Sequence, residues 1–470
     1  VLSLAIMLSY SRGALLIAAG GLVVWFALVP LRLRAALVLG LGALGGGLAT
    51  VWALGHHALT NDGVGLAART SAGHSFGLVV VATLALEMIA GFVAAFAVDR
   101  TRLSEIFRRR VGAALIVALA LVPLAAVGAT AASSRGLTGT VSHVFNQLTS
   151  PNSGGEADVP GRLLATGSTR GRYWNEGLKV GEHHIFLGAG AGGFATAHTR
   201  YAASAKNLFV QHAHSYLVET FADLGLVGLA LTLALLLAWA HAAARATGLR
   251  RRGPPAVASP ERIGLVTMLA TVLIFGLGSM IDWTWFIPGT TLPALVCAGW
   301  LAGRGPLVQA GGRARFRAPS PVAIFGLTGL AAIVLATVWL IGQPLRSENA
   351  DAAALTAATK GQLGIAIADA RTAAGDDPMS VDPLFELAAF KQASGDGPGA
   401  LGELRKAVDL QPDNAITWLQ EGELLLQLRR PADALPALTK AAQLDLGSTA
   451  AASAIARARA ELGQATPTGS

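Results

Sequence analysis

Apolar runs recur along the first three quarters of the chain, separated by short polar stretches that are often rich in arginine. A helix needs about 20 predominantly apolar residues to cross a bilayer. Eight stretches approach or meet that length: residues 13–30, 35–55, 76–98, 111–132, 224–244, 263–281, 287–303 and 321–342. Residues 1–9 read as the end of a further span, so the chain is expected to be N-terminally incomplete, with spans upstream. Pro288 and Pro293 blur the start of the seventh run, because proline cannot donate to a helix ladder.

Charge then orders these runs. Arg32 and Arg34 lie in one loop, Arg100 through Arg110 in a second, Arg245 through Arg262 in a third and Arg304 through Arg317 in a fourth. Basic short loops stay in the cytoplasm. The alternate segments, 56–75, 133–223, 282–289 and everything after Gly342, are therefore expected outside.

Past Gly342 the pattern changes to that of a soluble helical array with a 34-residue period. Ala366, Ala400 and Ala434 recur at one phase, and Ala373, Ala407 and Ala441 at another, with Trp418 and Gly422 at positions typical of tetratricopeptide repeats. Small residues at fixed phases let paired helices approach closely and stack into one core. The expected fold is all-α: a polytopic transmembrane helical bundle over residues 1–342, with a large outward loop at 133–223, and tetratricopeptide-like repeats over 343–462. Three helix pairs are expected between about Ala350 and Leu446.

Composition narrows the function. With 53% hydrophobic and only 14% charged residues, the chain cannot cover itself as a soluble enzyme does. The net charge of +8 comes mostly from loop arginines that set topology, so no nucleic-acid partner is inferred; membrane lipids are. The only cysteine, Cys297, lies in an apolar run, which excludes a disulfide framework or a cysteine zinc site.

The outward loop holds most of the candidate chemistry. Its 150–161 stretch is linker-like, but Arg170, Arg172, Trp174, a glycine run at 188–193 and Gln211-His212-Ala213-His214-Ser215-Tyr216 are not. Gly188, Gly190 and Gly193 match a dinucleotide-binding spacing. The strand–turn–helix context that motif needs is missing, so they read as a turn. The His183–His184 and His212/His214 pairs have no carboxylate cluster at metal-ligand spacing, and no metal or cofactor is expected. Glu87, mid-span, is either functional or turned toward a neighbouring helix. Arg12 sits at the outward end of a span, where the charge rule disfavours it. Guanidinium forks fit phosphate oxygens, so Arg12, Arg170 and Arg172 are candidates to hold a phosphorylated substrate. Glu219 and Asp223 are the carboxylates nearest His214 that could orient it.

In order along the chain, Ser11-Arg12-Gly13, Arg170 with Trp174, the run from Phe186 to Phe194, Ala213-His214-Ser215 and Asp223-Leu224-Gly225 through Gly228 resemble the O-antigen ligase / O-antigen polymerase superfamily. The resemblance covers residues 1–303. It implies a membrane glycosyltransferase of the GT-C type in the bacterial inner membrane, with the repeats on the extracytoplasmic side. Such an enzyme moves a glycan from an outer-leaflet polyprenyl diphosphate to a hydroxyl acceptor on a glycan, lipid or protein. It works without a metal ion and, by single displacement, inverts the anomeric centre. The resemblance gives Arg12 and Arg170, with Arg172 as its close rival, the diphosphate, and gives His214 the acceptor proton. A protein partner for the repeats is also implied. The residues alone leave open a non-catalytic scaffold that presents the repeats to a polysaccharide-assembly complex.

Overall fold

Helices form every regular element among the described residues of the computed structural model. Those residues are 1–29, 32–61, 63–100, scattered positions between 104 and 149, 168–201, 210–249, 259–307 and 320–465. Two compact units emerge: Val1–Ala191 with His212–Val308, and Gly192–Gln211 with Gln309–Ser470.

The first unit runs through α1 (Leu2–Leu8), α2 (Arg12–Leu28), α3 (Arg32–Leu54), α4 (Leu66–Arg100), α5 (Gly136–Thr149), α6 (Arg170–His183), α7 (Tyr216–Ala246), α8 (Pro260–Ile281) and α9 (Pro288–Gly303). Segments long and apolar enough to cross a bilayer lie in α3, α4, α7 and α8. A fifth lies in α10 (Pro321–Thr359) of the second unit. This is a multi-pass membrane protein. Phe92 and Phe325 are among the exposed large side chains on these helices, as suits helices solvated by lipid tails. The expected span at 111–132 and the linker-like stretch at 150–161 fall largely or wholly outside the described residues. Pro288 opens α9, where its missing N–H costs nothing, so the seventh run starts cleanly after all.

Glycines set the close helix approaches. A Cβ on Gly13 would lie 3.1 Å from Ile281 Cδ1, and one on Gly21 would overlap Ile274. Further along, Trp25 Nε1 donates to Thr267 Oγ1 at 3.1 Å. These three contacts run in opposite directions along α2 and α8, so the helices are antiparallel and the Arg12 end of α2 meets the Ile281 end of α8. Glu87 on α4 lies against Gly45 on α3, where no side chain would fit.

The glycine run and the fifth apolar run explain each other. Helix α7 starts at Tyr216, ahead of the run at 224–244, and breaks at Gly225 (φ 61°, ψ −157°), a region that essentially only glycine occupies. The break frees backbone groups that a membrane helix cannot leave unpaired. Residues 185–190 pair them. Ala189 and Gly190 donate to the Ala222 and Asp223 carbonyls at 2.8 and 3.0 Å. Leu226 and Val227 donate to the Ile185 and Phe186 carbonyls at 2.8 and 3.1 Å. Gly188, also at positive φ, and Gly225 leave no room for a Cβ against this backbone. The turn is therefore a splint for a broken helix. Gly225→Ala is expected to destabilise the first unit by at least about 3 kcal/mol, from strain and lost buried bonds together, seen as a lower unfolding temperature in detergent.

In the second unit α10 continues past Pro344 into the first repeat. Then come α11 (Leu363–Asp376), α12 (Asp382–Ala393), α13 (Gly397–Leu410), α14 (Ala415–Gln427), α15 (Pro431–Leu444) and α16 (Thr449–Ala465). Helices α11, α13 and α15 begin 34 residues apart. All six phase-marking alanines are buried, and Gly422 lets α14 meet Leu438 of α15. The residues thus form a tetratricopeptide-like array, with α16 covering its last pair. Within the same unit, the loop segment at 192–201 touches the array: Thr199 Oγ1 donates to the Leu444 carbonyl at 3.1 Å, and Arg200 pairs with Asp413 at 2.8 Å. The Asp413 side chain is 69% exposed, so the ion pair adds at most about 1 kcal/mol.

Burial, with Asp351 and Asp382 nearby, pushes the Glu386 carboxyl on α12 up to about 7 from its ordinary 4.5. The folded array therefore holds a proton that the unfolded chain releases. Its stability from this group is full below about pH 4.5 and is lost as pH rises through about 7. Hydrogen exchange over residues 382–393 of the full chain should speed up between pH 5 and 8 beyond the intrinsic base-catalysed rise, and Glu386→Gln should remove that excess.

Candidate functional site

The C-terminal end of α8 gathers the side chains that sequence reasoning singled out separately. Asp282, the residue after this helix, accepts from three groups. Arg170 Nη2 lies 2.5 Å from Oδ2, His214 Nδ1 lies 3.0 Å from Oδ1, and the Trp283 N–H reaches Oδ1 at 3.0 Å. Burial alone would push this carboxyl up. The His214 hydrogen bond, the Arg170 charge and the Trp283 N–H outweigh it and hold the carboxyl down at about 2. At neutral pH Asp282 is thus ionised and can only accept. In the neutral imidazole, His214 Nδ1 must then carry the proton, leaving Nε2 as the basic nitrogen.

Helix α6 supplies the other side of the site. Arg170, Tyr173 and Trp174 stand at i, i+3 and i+4, which is one helix face. Tyr173 stacks on the His214 ring at 5.3 Å, and Trp174 Nε1 donates to the His214 carbonyl at 3.1 Å. This carbonyl belongs to a residue at φ 53°, a left-handed conformation uncommon outside glycine. Arg172 is turned elsewhere, toward the buried Glu176, with Nε 2.9 Å from its carboxylate. Arg170 Nε is buried without a hydrogen-bond partner among the described residues.

Glu219, in the first turn of α7, holds the approach to His214. It accepts from the Ala213 N–H at 3.0 Å and pairs with His212 Nδ1 at 2.9 Å. It therefore orients His212 rather than His214. The partner of His214 is Asp282, 68 residues away in sequence. No sequence signal beyond an acidic residue at a span end could have found it. Arg12 is the first residue of α2, behind an N-cap in which Ser11 Oγ accepts from Ala14 N at 3.2 Å. The Gly13–Ile281 contact brings this helix start to the Asp282 end of α8. His183 Nδ1 lies 2.8 Å from the Lys179 carbonyl. Among the described residues, no three His, Cys, Asp or Glu side chains group as metal ligands.

A family model described as O-antigen ligase matches residues 75–233. That stretch contains Arg170, Arg172, His214 and the glycine splint, and leaves Arg12 and Asp282 outside. No curated protein matches the chain. The chain is similar to the Sgt2 TPR domain from Aspergillus fumigatus at 20% identity, over 25% of this chain and 80% of that one, with a TM-score of 0.24. It is also similar to the TPR2AB domain of yeast Sti1, solved as a complex with pHSP90. There the identity is 14% over 62% of this chain and 98% of that one, with a TM-score of 0.23. The repeat assignment rests on the chain's own helix pairs. Residues 75–233 thus match the O-antigen ligase family model, within a multi-pass membrane protein that carries helical repeats.

Proposed function

We propose that this protein transfers a glycan from a polyprenyl diphosphate carrier to a hydroxyl acceptor at the outer face of the bacterial inner membrane, as a ligase or polymerase. The observation that carries this reading is the chain Arg170–Asp282–His214, which joins an anion-binding group to a general base through one carboxylate. Arg170, together with Arg12, holds the diphosphate through its guanidinium fork, and Arg170 Nε has no hydrogen-bond partner among the described residues. Arg172, committed to Glu176, supports the helix. His214 Nε2 takes the proton of the acceptor hydroxyl as its oxygen forms a bond to the anomeric carbon. The bond from that carbon to the diphosphate breaks, and its electron pair leaves with the lipid carrier. A single displacement inverts the anomeric centre. Guanidinium charge stabilises the leaving diphosphate, so the transfer runs without a metal ion. The loop arginines support an outward site, and the repeats, on the same side, offer a surface for a protein partner.

The test is donor binding and single-turnover transfer by the full chain with EDTA present. Arg170→Lys should weaken donor binding by about tenfold or more, because an ammonium loses the fork. Arg172→Lys should leave donor binding near normal and lower the unfolding temperature. The reverse pattern, or loss of activity in EDTA that a divalent ion restores, would overturn the assignment.

A further inference from the structure

The turn after Asp282 carries a group of aromatic rings that the transfer chemistry does not use. Trp283 is 38% exposed and Phe286 is 49% exposed. The His212 imidazole stacks on Phe286 at 3.9 Å and lies near-parallel to Trp283 at 5.4 Å, while Trp283 stands edge-on to His214 at 6.3 Å. Rings set only by a membrane-interface preference need the right depth and no fixed orientation. These are fixed by a built turn. Trp283 N–H is tied to Asp282, Thr284 Oγ1 lies 3.0 Å from Ser279 Oγ, and Thr291 Oγ1 donates to the Trp285 carbonyl at 2.9 Å.

We propose that Trp283 and Phe286 form the platform on which a pyranose ring of the acceptor glycan stacks, with its nucleophilic hydroxyl turned toward His214. The inference rests on the glycan-transfer reading above and names its acceptor as a sugar. Aromatic faces carry negative charge density and attract the polarised C–H face of a pyranose. His212 backs one face of these rings, and hydroxyls at the sugar's rim find a polar partner in His214 beside Trp283. Asp282 sets the sides: Arg170 occupies Oδ2, whereas His214 and Trp283 share Oδ1. A displacement needs the acceptor oxygen and the leaving diphosphate on opposite sides of the anomeric carbon, and Asp282 holds Arg170 and His214 apart on its two oxygens. A sugar stacked about 4 Å above the indole stays within reach of His214. Because the turn is preformed, ordering costs little on binding.

The full chain in nanodiscs is supplied with a labelled polyprenyl diphosphate glycan. The acceptor is the glycoconjugate fraction of cells lacking the gene, which contains the unmodified acceptor whatever its structure. Trp283→Ala and Phe286→Ala should each raise the acceptor concentration for half-saturation by about tenfold. Donor Kd should stay unchanged, and Trp283→Phe should recover most of the loss, since it keeps a ring. The backbone bond to Asp282 survives all three changes. Unchanged acceptor dependence, a shift in donor Kd instead, or label recovered on a protein or lipid hydroxyl would overturn the platform while leaving glycan transfer intact. No transfer by the unmodified chain would overturn the transfer reading itself.

Discussion

Transfer by His214→Ala is expected to fall by about 10²–10⁴-fold in single turnover, the usual contribution of a positioned general base, with the donor bound as before. The reason is geometric. Asp282 holds Nδ1, Tyr173 packs one face of the ring and Trp174 fixes the residue's carbonyl, so Nε2 alone is left to face substrate. Removing the ring takes away the base without touching Arg170. A parallel fall in donor affinity would instead mean that His214 serves binding. Normal turnover by this variant would remove the proposed mechanism.

Asp282→Asn should be nearly as damaging, and differently. The amide keeps the shape but loses the charge that Arg170 and His214 share. Its oxygen can serve one of them, and its NH₂ then faces the other. If the amide donates to Nδ1, the imidazole is held in the wrong tautomer, a change that costs about 10⁴-fold where an Asp–His pair has this role. Arg170, half of a partly buried pair, also loses its counter-charge, so donor affinity should change along with rate. That split separates Asp282→Asn from His214→Ala in the same assay. The pH dependence follows from the depressed carboxyl. Stability from Asp282 is present above its ordinary 3.8 and is lost as pH falls through about 2. The Arg170–Asp282–His214 chain should therefore persist to about pH 4. Activity that falls on acidification between pH 8 and 5 then reports protonation of another group, and hydrogen exchange around Trp283 should not change over that range beyond its intrinsic dependence.

Much of this protein was legible in its sequence because the controlling physics is local or periodic. Apolar length against bilayer thickness marked helical spans, although α7 begins eight residues before its apolar run, since Glu219 and the polar first turn belong to the site rather than to lipid. A 34-residue recurrence of alanine fixed the helix pairs, because only a small side chain fits where paired helices touch. The order of short motifs pointed to the O-antigen ligase family, whose model matches residues 75–233. Tertiary structure decided what sequence distance hides. It separated Arg170 from Arg172, two residues apart, by placing them on different faces of α6, one toward Asp282 and one toward Glu176. It replaced Glu219 and Asp223 with Asp282 as the partner of His214, because a carboxylate's partner is set by where helices end in space. It also turned a glycine run that mimics a phosphate loop into a splint for α7, since backbone groups freed by a break in a membrane helix must find partners wherever the fold brings them.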